Sequence, residues 1–173
     1  MTSTLAHSSQ LLLPGLDIRT ARGKGRGVFA LYQISPETLV VVGKFVKLFP
    51  DRTSHSFQMG WNRHVKLDKV AEIINHSCDP NLRICNNSLG GYNFHAIRTI
   101  EAGEELTWDY AMSESQSIAV EKCLCGVPQC RGKSVGFTDL PLEEQQILHS
   151  KGVARYLSEW YIQQLTQTIL RQS

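Results

Sequence analysis

Apolar and polar residues alternate over several short segments of the chain, and this period of two predicts β-strands. Two strands, at 16–19 and 27–30, flank a glycine-rich turn. The β-branched run at 38–42 lies between Pro36 and Gly43 and predicts a third. The same criteria predict four more strands, at 45–49, 64–68, 93–100 and 105–110.

The spacing of apolar residues changes after residue 138 and becomes helical. Asp139 can cap a helix that carries Pro141 in its first turn and ends at His149, before Gly152. A longer helix follows, with apolar residues spaced by four at Leu157, Tyr161, Leu165 and Ile169. We therefore expect a mainly β body with C-terminal helices.

Composition narrows the class of protein. The chain has 173 residues, 42% hydrophobic and 20% charged, which is typical of one globular core. A net charge of +2 does not indicate direct nucleic-acid binding, and no apolar run is long enough for a membrane span. Five cysteines, three of them within eight residues, favour a reducing intracellular compartment, with nucleus and cytoplasm both open.

The cysteine triplet has the spacing C-x-C-x₄-C, at Cys123, Cys125 and Cys130. Structural zinc takes four ligands in a tetrahedron, so a fourth must come from elsewhere in the chain. The residues alone leave three candidates open, which are Cys78, Cys85 and His76. The alternative is a loop of free or oxidised thiols, but local cysteine triplets interrupted by turn residues are rare without a metal.

Four segments together resemble the SET-domain protein-lysine methyltransferases. They are GKGRGVFA at 23–30, NHSCDPN at 75–81, GEELTWDY at 103–110 and CLCGVPQCRG at 123–132. The resemblance implies small curved sheets in a β-clip-like fold with a pseudoknot. It also implies a post-SET site for one structural zinc ion, with Cys78 as the fourth ligand.

The resemblance also divides the chain into four parts. We expect a flexible N-terminus at 1–14, a SET domain at 15–112, a post-SET zinc-binding segment at 113–135 and a C-terminal helical extension at 136–173.

The cofactor that the resemblance implies is S-adenosylmethionine, whose sulfonium makes a methyl group electrophilic. Positions matching the family's cofactor residues are Lys24, Gly25, Arg26, Gly27, Asn75, His76, Tyr110 and Leu124. A glycine-rich turn alone is usually only a turn. Asn75 and His76 alone would indicate a turn with a buried histidine. These positions therefore indicate a cofactor site only because the motifs occur together.

Tyr110 is the residue that the resemblance implies to be catalytic, where the substrate lysine meets the methyl donor. Trp108 and Phe94 are expected to line the substrate channel with it, although Phe94 fits simple core packing equally well. A lysine ammonium must first lose its proton, and desolvation beside a sulfonium lowers its pKa. Trp108 has no hydroxyl where the family carries Phe or Tyr, which favours di- or trimethylation.

The sequence departs from the family pattern at 40–42, where valines replace an expected tyrosine, and the stretch 43–75 is short. Recognition of a lysine-bearing protein, histone or other basic segment would then be minimal, or would depend on His55, Phe57, Trp61 and the C-terminal helices. Partnering in a homodimer is also open. The alternative function is a catalytically weak SET-like peptide- or cofactor-binding module. A small zinc-stabilised interaction domain would leave Asn75 and Tyr110 unexplained.

Overall fold

The computed structural model describes residues 15–172, so the expectation of a flexible segment at 1–14 lies outside the described residues. In the described range, short strands precede two C-terminal helices, which confirms the mainly β fold class. The strands are β1 Leu16–Ala21, β2 Gly25–Ala30, β3 Leu39–Val42, β4 Phe45–Phe49, β5 Phe57–Gly60, β6 Arg63–Leu67, β7 Asn75–His76, β8 Leu82–Asn86, β9 Tyr92–Ala96 and β10 Thr107–Trp108. The helices are α1 Lys69–Ile73, α2 Leu142–Lys151 and α3 Arg155–Gln172.

The strands form four small sheets. β1 and β2 make an antiparallel hairpin, and two three-stranded sheets have the orders β3-β9-β8 and β4-β6-β5. β7 pairs in parallel with β10, which sets Thr107 opposite Asn75 and Trp108 opposite His76. This last pairing joins two segments that are some thirty residues apart in the chain.

The core is built by alternation along the central strands. In β9, Tyr92, Phe94 and Ala96 are fully buried while the residues between them are partly exposed. The Tyr92 hydroxyl donates a hydrogen bond to the Gln58 carbonyl, so β9 is tied to the neighbouring sheet by a buried polar contact.

Some strand boundaries differ from the predicted ones. The predicted strand at 105–110 is only Thr107–Trp108, because the Asp109 carboxylate accepts the N–H of Ala111 at 3.0 Å and caps a 3-10 turn at Tyr110–Met112. The predicted strand at 93–100 ends at Ala96, after which the Ile97 N–H bonds to the Asn81 carbonyl. Four elements were not predicted from the sequence because each has five residues or fewer, namely β5, β7, β8 and α1.

The C-terminal helices pack behind the 3-10 turn. The Ala154 N–H donates to the Met112 carbonyl at 2.7 Å, and the Tyr156 hydroxyl donates to the Ser113 carbonyl at 2.6 Å. Only the first half of α3 is buried. Leu165 and Ile169, predicted on its buried stripe, are 36% and 67% exposed, because the helix extends past the body of the domain.

Among residues 15–172, no helix is both long and apolar enough to cross a membrane.

A close backbone approach at Gly91 is a testable constraint of the fold. A Cβ atom at this position would lie 2.3 Å from the Gly43 carbonyl oxygen, so β3 and β9 would have to separate. We expect Gly91→Ala to lower the free energy of unfolding by about 2 kcal/mol or more, measured by urea denaturation. Gly60→Ala is the matched control, because its Cβ would meet only Arg63 at 3.7 Å, and equal effects of the two substitutions would contradict the explanation.

Candidate active site

The parallel pairing of β7 with β10 brings the second and third sequence motifs together. Asn75 and His76 lie beside Thr107 and Trp108, and the 3-10 turn that follows β10 presents Tyr110 next to His76. The ring centroids of His76 and Tyr110 are 5.1 Å apart, and those of Trp108 and Tyr110 are 5.0 Å apart. These residues were predicted to act together from their motifs, and the structure places them in one cluster.

Two cavities meet at Tyr110. Both are partly open to solvent, and the room for a ligand is about 40 Å³ in the narrower one and about 530 Å³ in the wider one. The residues that line both are Ser54, His55, Glu72, Tyr110 and Ala119. A ligand in the wider cavity and a side chain in the narrower one would therefore meet beside the Tyr110 phenol.

Most of the predicted cofactor positions line the wider cavity. They are Lys24, Gly25, Arg26, Asn75, His76, Tyr110 and Leu124. Gly27 lies behind them, where a Cβ atom would come 2.6 Å from Glu105 Oε1. Glycine at 27 thus lets β2 approach Glu105 closely.

Glu105 organises the polar wall of the wider cavity. Its carboxylate accepts hydrogen bonds from the Lys24 ammonium and, at 2.8 Å, from Asn75 Nδ2. Asn75 Nδ2 also donates to the Arg26 carbonyl at 2.9 Å. Both amide protons of Asn75 are therefore used by the protein, and its carbonyl oxygen is the atom left to accept from a ligand.

Tyr110 is a hydrogen-bond donor in this site. Its hydroxyl donates to the Ile74 carbonyl at 3.3 Å. Burial, assisted by the nearby Glu105 and Glu114 carboxylates, raises the pKa of Tyr110 well above its ordinary value. The phenol stays protonated at neutral pH, so it can orient a ligand but is no base.

The narrower cavity has an aromatic wall. Trp108 lines it and stacks on Phe57 with a centroid distance of 5.8 Å. Phe94, expected in the channel, is fully buried and contacts the Trp108 ring edge-on at 5.6 Å, so it supports the wall from behind. The Trp108 indole N–H donates to the Ile74 carbonyl at 3.3 Å.

Two of the residues expected to recognise substrate lie at this cavity and one does not. His55 and Phe57 line it. Trp61 instead packs edge-on against Tyr156 and Trp160 at the C-terminal helix α3, with centroid distances of 5.1 and 6.5 Å.

His76 connects this site to the cysteine cluster. Burial, followed by the charges of Arg131 and Lys24, lowers the pKa of His76 to about 3, so the imidazole is neutral. The Tyr110 N–H donates to Nδ1 at 3.2 Å, which places the imidazole proton on Nε2. Nε2 lies 3.4 Å from Cys78 Sγ, so the ring can donate to that sulfur.

The sulfur atoms of Cys78, Cys123, Cys125 and Cys130 all lie within 4.8 Å of one another. The 4.0 Å between Cys78 and Cys123 is far beyond a disulfide bond but close to the ~3.8 Å sulfur separation of a tetrahedral zinc–thiolate site. Among the described residues, Cys85 in β8 lies outside this cluster. Of the three candidates for the fourth position, the structure places Cys78 with the triplet, and the four cysteines can hold a metal ion.

Three charged residues of the site were not predicted from the sequence, namely Glu105, Asp109 and Arg131. Asp109 is 1% exposed, and burial raises its pKa to about 6 although the Arg131 guanidinium lies against it. Their charge and their place in the motifs could have pointed to these residues. Glu105 and Asp109 lie in the same motif as Trp108, and Arg131 follows Cys130 directly. Periodicity could not show which of these charges turn inward.

Comparison with known proteins identifies the class to which this site belongs. The SET domain family profile matches residues 25–111, which is just over half of the chain. The chain therefore belongs to the SET domain family, as its motifs predicted.

Individual relatives agree with this assignment. Histone-lysine N-methyltransferase ash1 of Drosophila melanogaster is 44% identical over 154 residues, covering 76% of this chain and 7% of the relative. Histone-lysine N-methyltransferase SUV39H2 of Homo sapiens is 30% identical over 155 residues, covering 66% of this chain and 37% of the relative. The H3 lysine-4 specific histone-lysine N-methyltransferase of Saccharomyces cerevisiae is 36% identical over 87 residues, covering 46% of this chain and 8% of the relative. The chain thus spans less than two fifths of the length of each.

The role of Glu105 in the wall of the wider cavity is testable by substitution. Glu105→Gln should lower the free energy of unfolding by about 1–3 kcal/mol, because Lys24 would lose its carboxylate partner in a partly buried position. Urea denaturation measures the change. The matched control is Glu101→Gln, whose carboxylate accepts only from exposed Gln33, and a loss as large as that of Glu105→Gln would contradict the assignment.

Proposed function

We propose that the protein is a protein-lysine N-methyltransferase that uses S-adenosylmethionine. The observation that carries the proposal is the meeting of two cavities at Tyr110, because methyl transfer needs donor and acceptor aligned at one point. Membership of the SET domain family and the names of the relatives support it.

The wider cavity is the proposed cofactor site. Lys24, Gly25, Arg26 and Leu124 would hold the cofactor from one side and Asn75 and His76 from the other, with Gly27 supporting the turn. The cofactor would supply an electrophilic methyl group. The lining combines backbone at a glycine-rich turn, a free amide carbonyl and partly buried charges, which suits a zwitterionic ligand.

The narrower cavity is the proposed lysine channel. Phe57, Ile74 and Trp108 form the apolar part of its lining, where desolvation would lower the pKa of an incoming ammonium. Glu72 and Glu114 belong to the same lining and would first attract the charged ammonium. The neutral amine would then be oriented at the inner end by the Tyr110 hydroxyl oxygen, which can accept an N–H while its own proton is held by the Ile74 carbonyl. No strong base is required of Tyr110, in keeping with its raised pKa.

Trp108 supports the prediction of di- or trimethylation. Its only polar group, the indole N–H, is already donated to the Ile74 carbonyl. The ring therefore adds no hydroxyl that would fix the amine or a water molecule and hinder a second transfer.

The four-cysteine cluster is the proposed site of one structural zinc ion. Four sulfur donors suit zinc, and the N–H groups of Arg131 and Gly132 each lie 3.4 Å from a sulfur, Cys78 and Cys130 respectively, where they would stabilise thiolates. We place the SET domain at 15–112, the zinc-binding segment at 113–135 and the helical extension at 136–173. We also propose the β-clip-like pseudoknot, supported by the parallel pairing of β7 with the later β10.

The proposed substrate is a lysine-bearing protein, with histones as the first class to test because the relatives are named histone-lysine methyltransferases. A histone substrate would require an intracellular location. Glu72 lines both cavities and would favour a basic peptide at their junction.

Removing the Tyr110 hydroxyl tests the reaction. Tyr110→Phe should lower the single-turnover rate of methyl transfer to histones by about 100-fold or more, while cofactor affinity measured by calorimetry changes little. Tyr32→Phe, at a side chain 71% exposed, is the matched control and should keep the wild-type rate. Cofactor binding by the wild type without transfer to any histone or cell-extract protein would instead indicate a binding module.

Metal content tests the cysteine cluster separately. Native mass spectrometry should find one zinc ion per chain, lost in Cys125→Ser and retained in Cys85→Ser, because only the former removes a member of the cluster. Loss of zinc should also lower the melting temperature. Wild-type protein purified with no bound metal would refute the zinc proposal.

A further inference from the structure

Arg131 contacts both the cysteine cluster and the segment that carries Tyr110. Its backbone N–H lies 3.4 Å from Cys78 Sγ, and its guanidinium Nη2 donates to Asp109 Oδ2. Asp109 is the residue directly before Tyr110, and its other carboxylate oxygen accepts the Ala111 N–H at 3.0 Å. Arg131 therefore joins the cysteine cluster to Asp109, which caps the 3-10 turn at Tyr110–Met112, called the catalytic turn below.

We propose that Arg131 is a positioning residue that couples the four-cysteine cluster to the orientation of Tyr110. The proposal rests on the proposed methyl transfer at Tyr110 and assigns to Arg131 a role beyond its place in the cysteine motif.

The burial of the ion pair supports this role. Asp109 is 1% exposed and the Arg131 side chain 14% exposed, so the carboxylate meets its cation in a largely water-free environment. A buried carboxylate that loses its cation is costly, and it is relieved either by taking up a proton or by rotating towards water, both of which weaken its hold on the Ala111 N–H. Such a rotation would release the Ala111 N–H and loosen the turn at Tyr110.

The shape of arginine also matters at this position. While Nη2 contacts Asp109, Nη1 lies 3.6 Å from Glu144 Oε2 on helix α2. A lysine ammonium is a single point charge and lacks the planar fork of a guanidinium, so it cannot contact both carboxylates in this way. The guanidinium thus aligns the cluster, the catalytic turn and the C-terminal helix together.

The Arg131 connection runs beside the one through His76, whose Nδ1 lies 3.7 Å from Asp109 Oδ1. His76 accepts the Tyr110 N–H and reaches Cys78 with its other ring nitrogen, so it holds the backbone of Tyr110 itself. Arg131 contacts Asp109, and the Asp109 carboxylate holds the N–H of Ala111, the residue after Tyr110. With both in place, a shift of Cys78 would reach Tyr110 from two sides.

The experiment compares Arg131→Lys, Asp109→Asn and the double variant with wild-type protein carrying its metal. Arg98→Lys is the matched control, because Arg98 also forms a close arginine–carboxylate pair, with Glu104 at 2.6 Å, on the surface away from Tyr110. The measurements are zinc per chain, cofactor affinity, single-turnover rate, KM for a histone peptide, and hydrogen exchange at residues 110–112.

For Arg131→Lys we expect zinc content and KM close to wild type, because the backbone N–H to Cys78 remains. The single-turnover rate should fall by about tenfold or more, and exchange of the Ala111 amide should rise by about tenfold. Asp109→Asn should show the same two changes. The double variant should be no worse than the more severe single variant, because both substitutions break one interaction.

Several results would overturn the proposal. They are unchanged exchange at 110–112 in both single variants, fully additive losses in the double variant, or an equal rate loss in Arg98→Lys. If Arg131→Lys loses zinc, the rate and exchange of Asp109→Asn alone test the coupling, because Asp109 contacts none of the four sulfurs that would hold the metal. A wild-type protein that transfers no methyl group would refute the proposed function, while the exchange measurement would still test the coupling.

Discussion

The parallel pairing of two dipeptides, Asn75–His76 with Thr107–Trp108, is the constraint on which the site depends. It determines where the Asn75 amide, the His76 ring and the aromatic wall at Trp108 lie relative to one another. Two residues on each strand provide little stability by themselves. The pairing is therefore maintained by its surroundings, namely the Glu105 carboxylate that receives Asn75 and the Ile74 carbonyl that receives both Trp108 and Tyr110.

Burial determines the protonation state of the groups around this pairing. It lowers the pKa of His76 and raises that of Tyr110, so the imidazole is neutral and the phenol keeps its proton. Both groups then act as hydrogen-bond partners rather than as acids or bases. Such a site favours alignment and desolvation over proton transfer, which is the requirement of a reaction whose electrophile is already activated.

The sequence predicted the fold class, the family and three members of the cysteine cluster because glycines, cysteines and motif spacing are local signals, whereas Cys78 as the fourth member followed from the family resemblance. It also marked Asn75 and Tyr110 through their motifs. Boundaries were less predictable: Tyr110 begins a turn because Asp109 caps it, and Leu165 and Ile169 are exposed because α3 extends beyond the body. Inward charges such as Glu105 and Asp109 could not be recognised, since their partners Lys24 and Arg131 are remote in sequence.

The separation of the two cavities has a consequence for successive rounds of reaction. The two cavities share five lining residues, among them Tyr110, so in the proposed reaction a spent donor would leave the larger chamber while a peptide still occupied the smaller one. A fresh donor can then enter without release of the peptide. If methyl transfer proceeds as proposed, this arrangement would permit processive modification of one side chain.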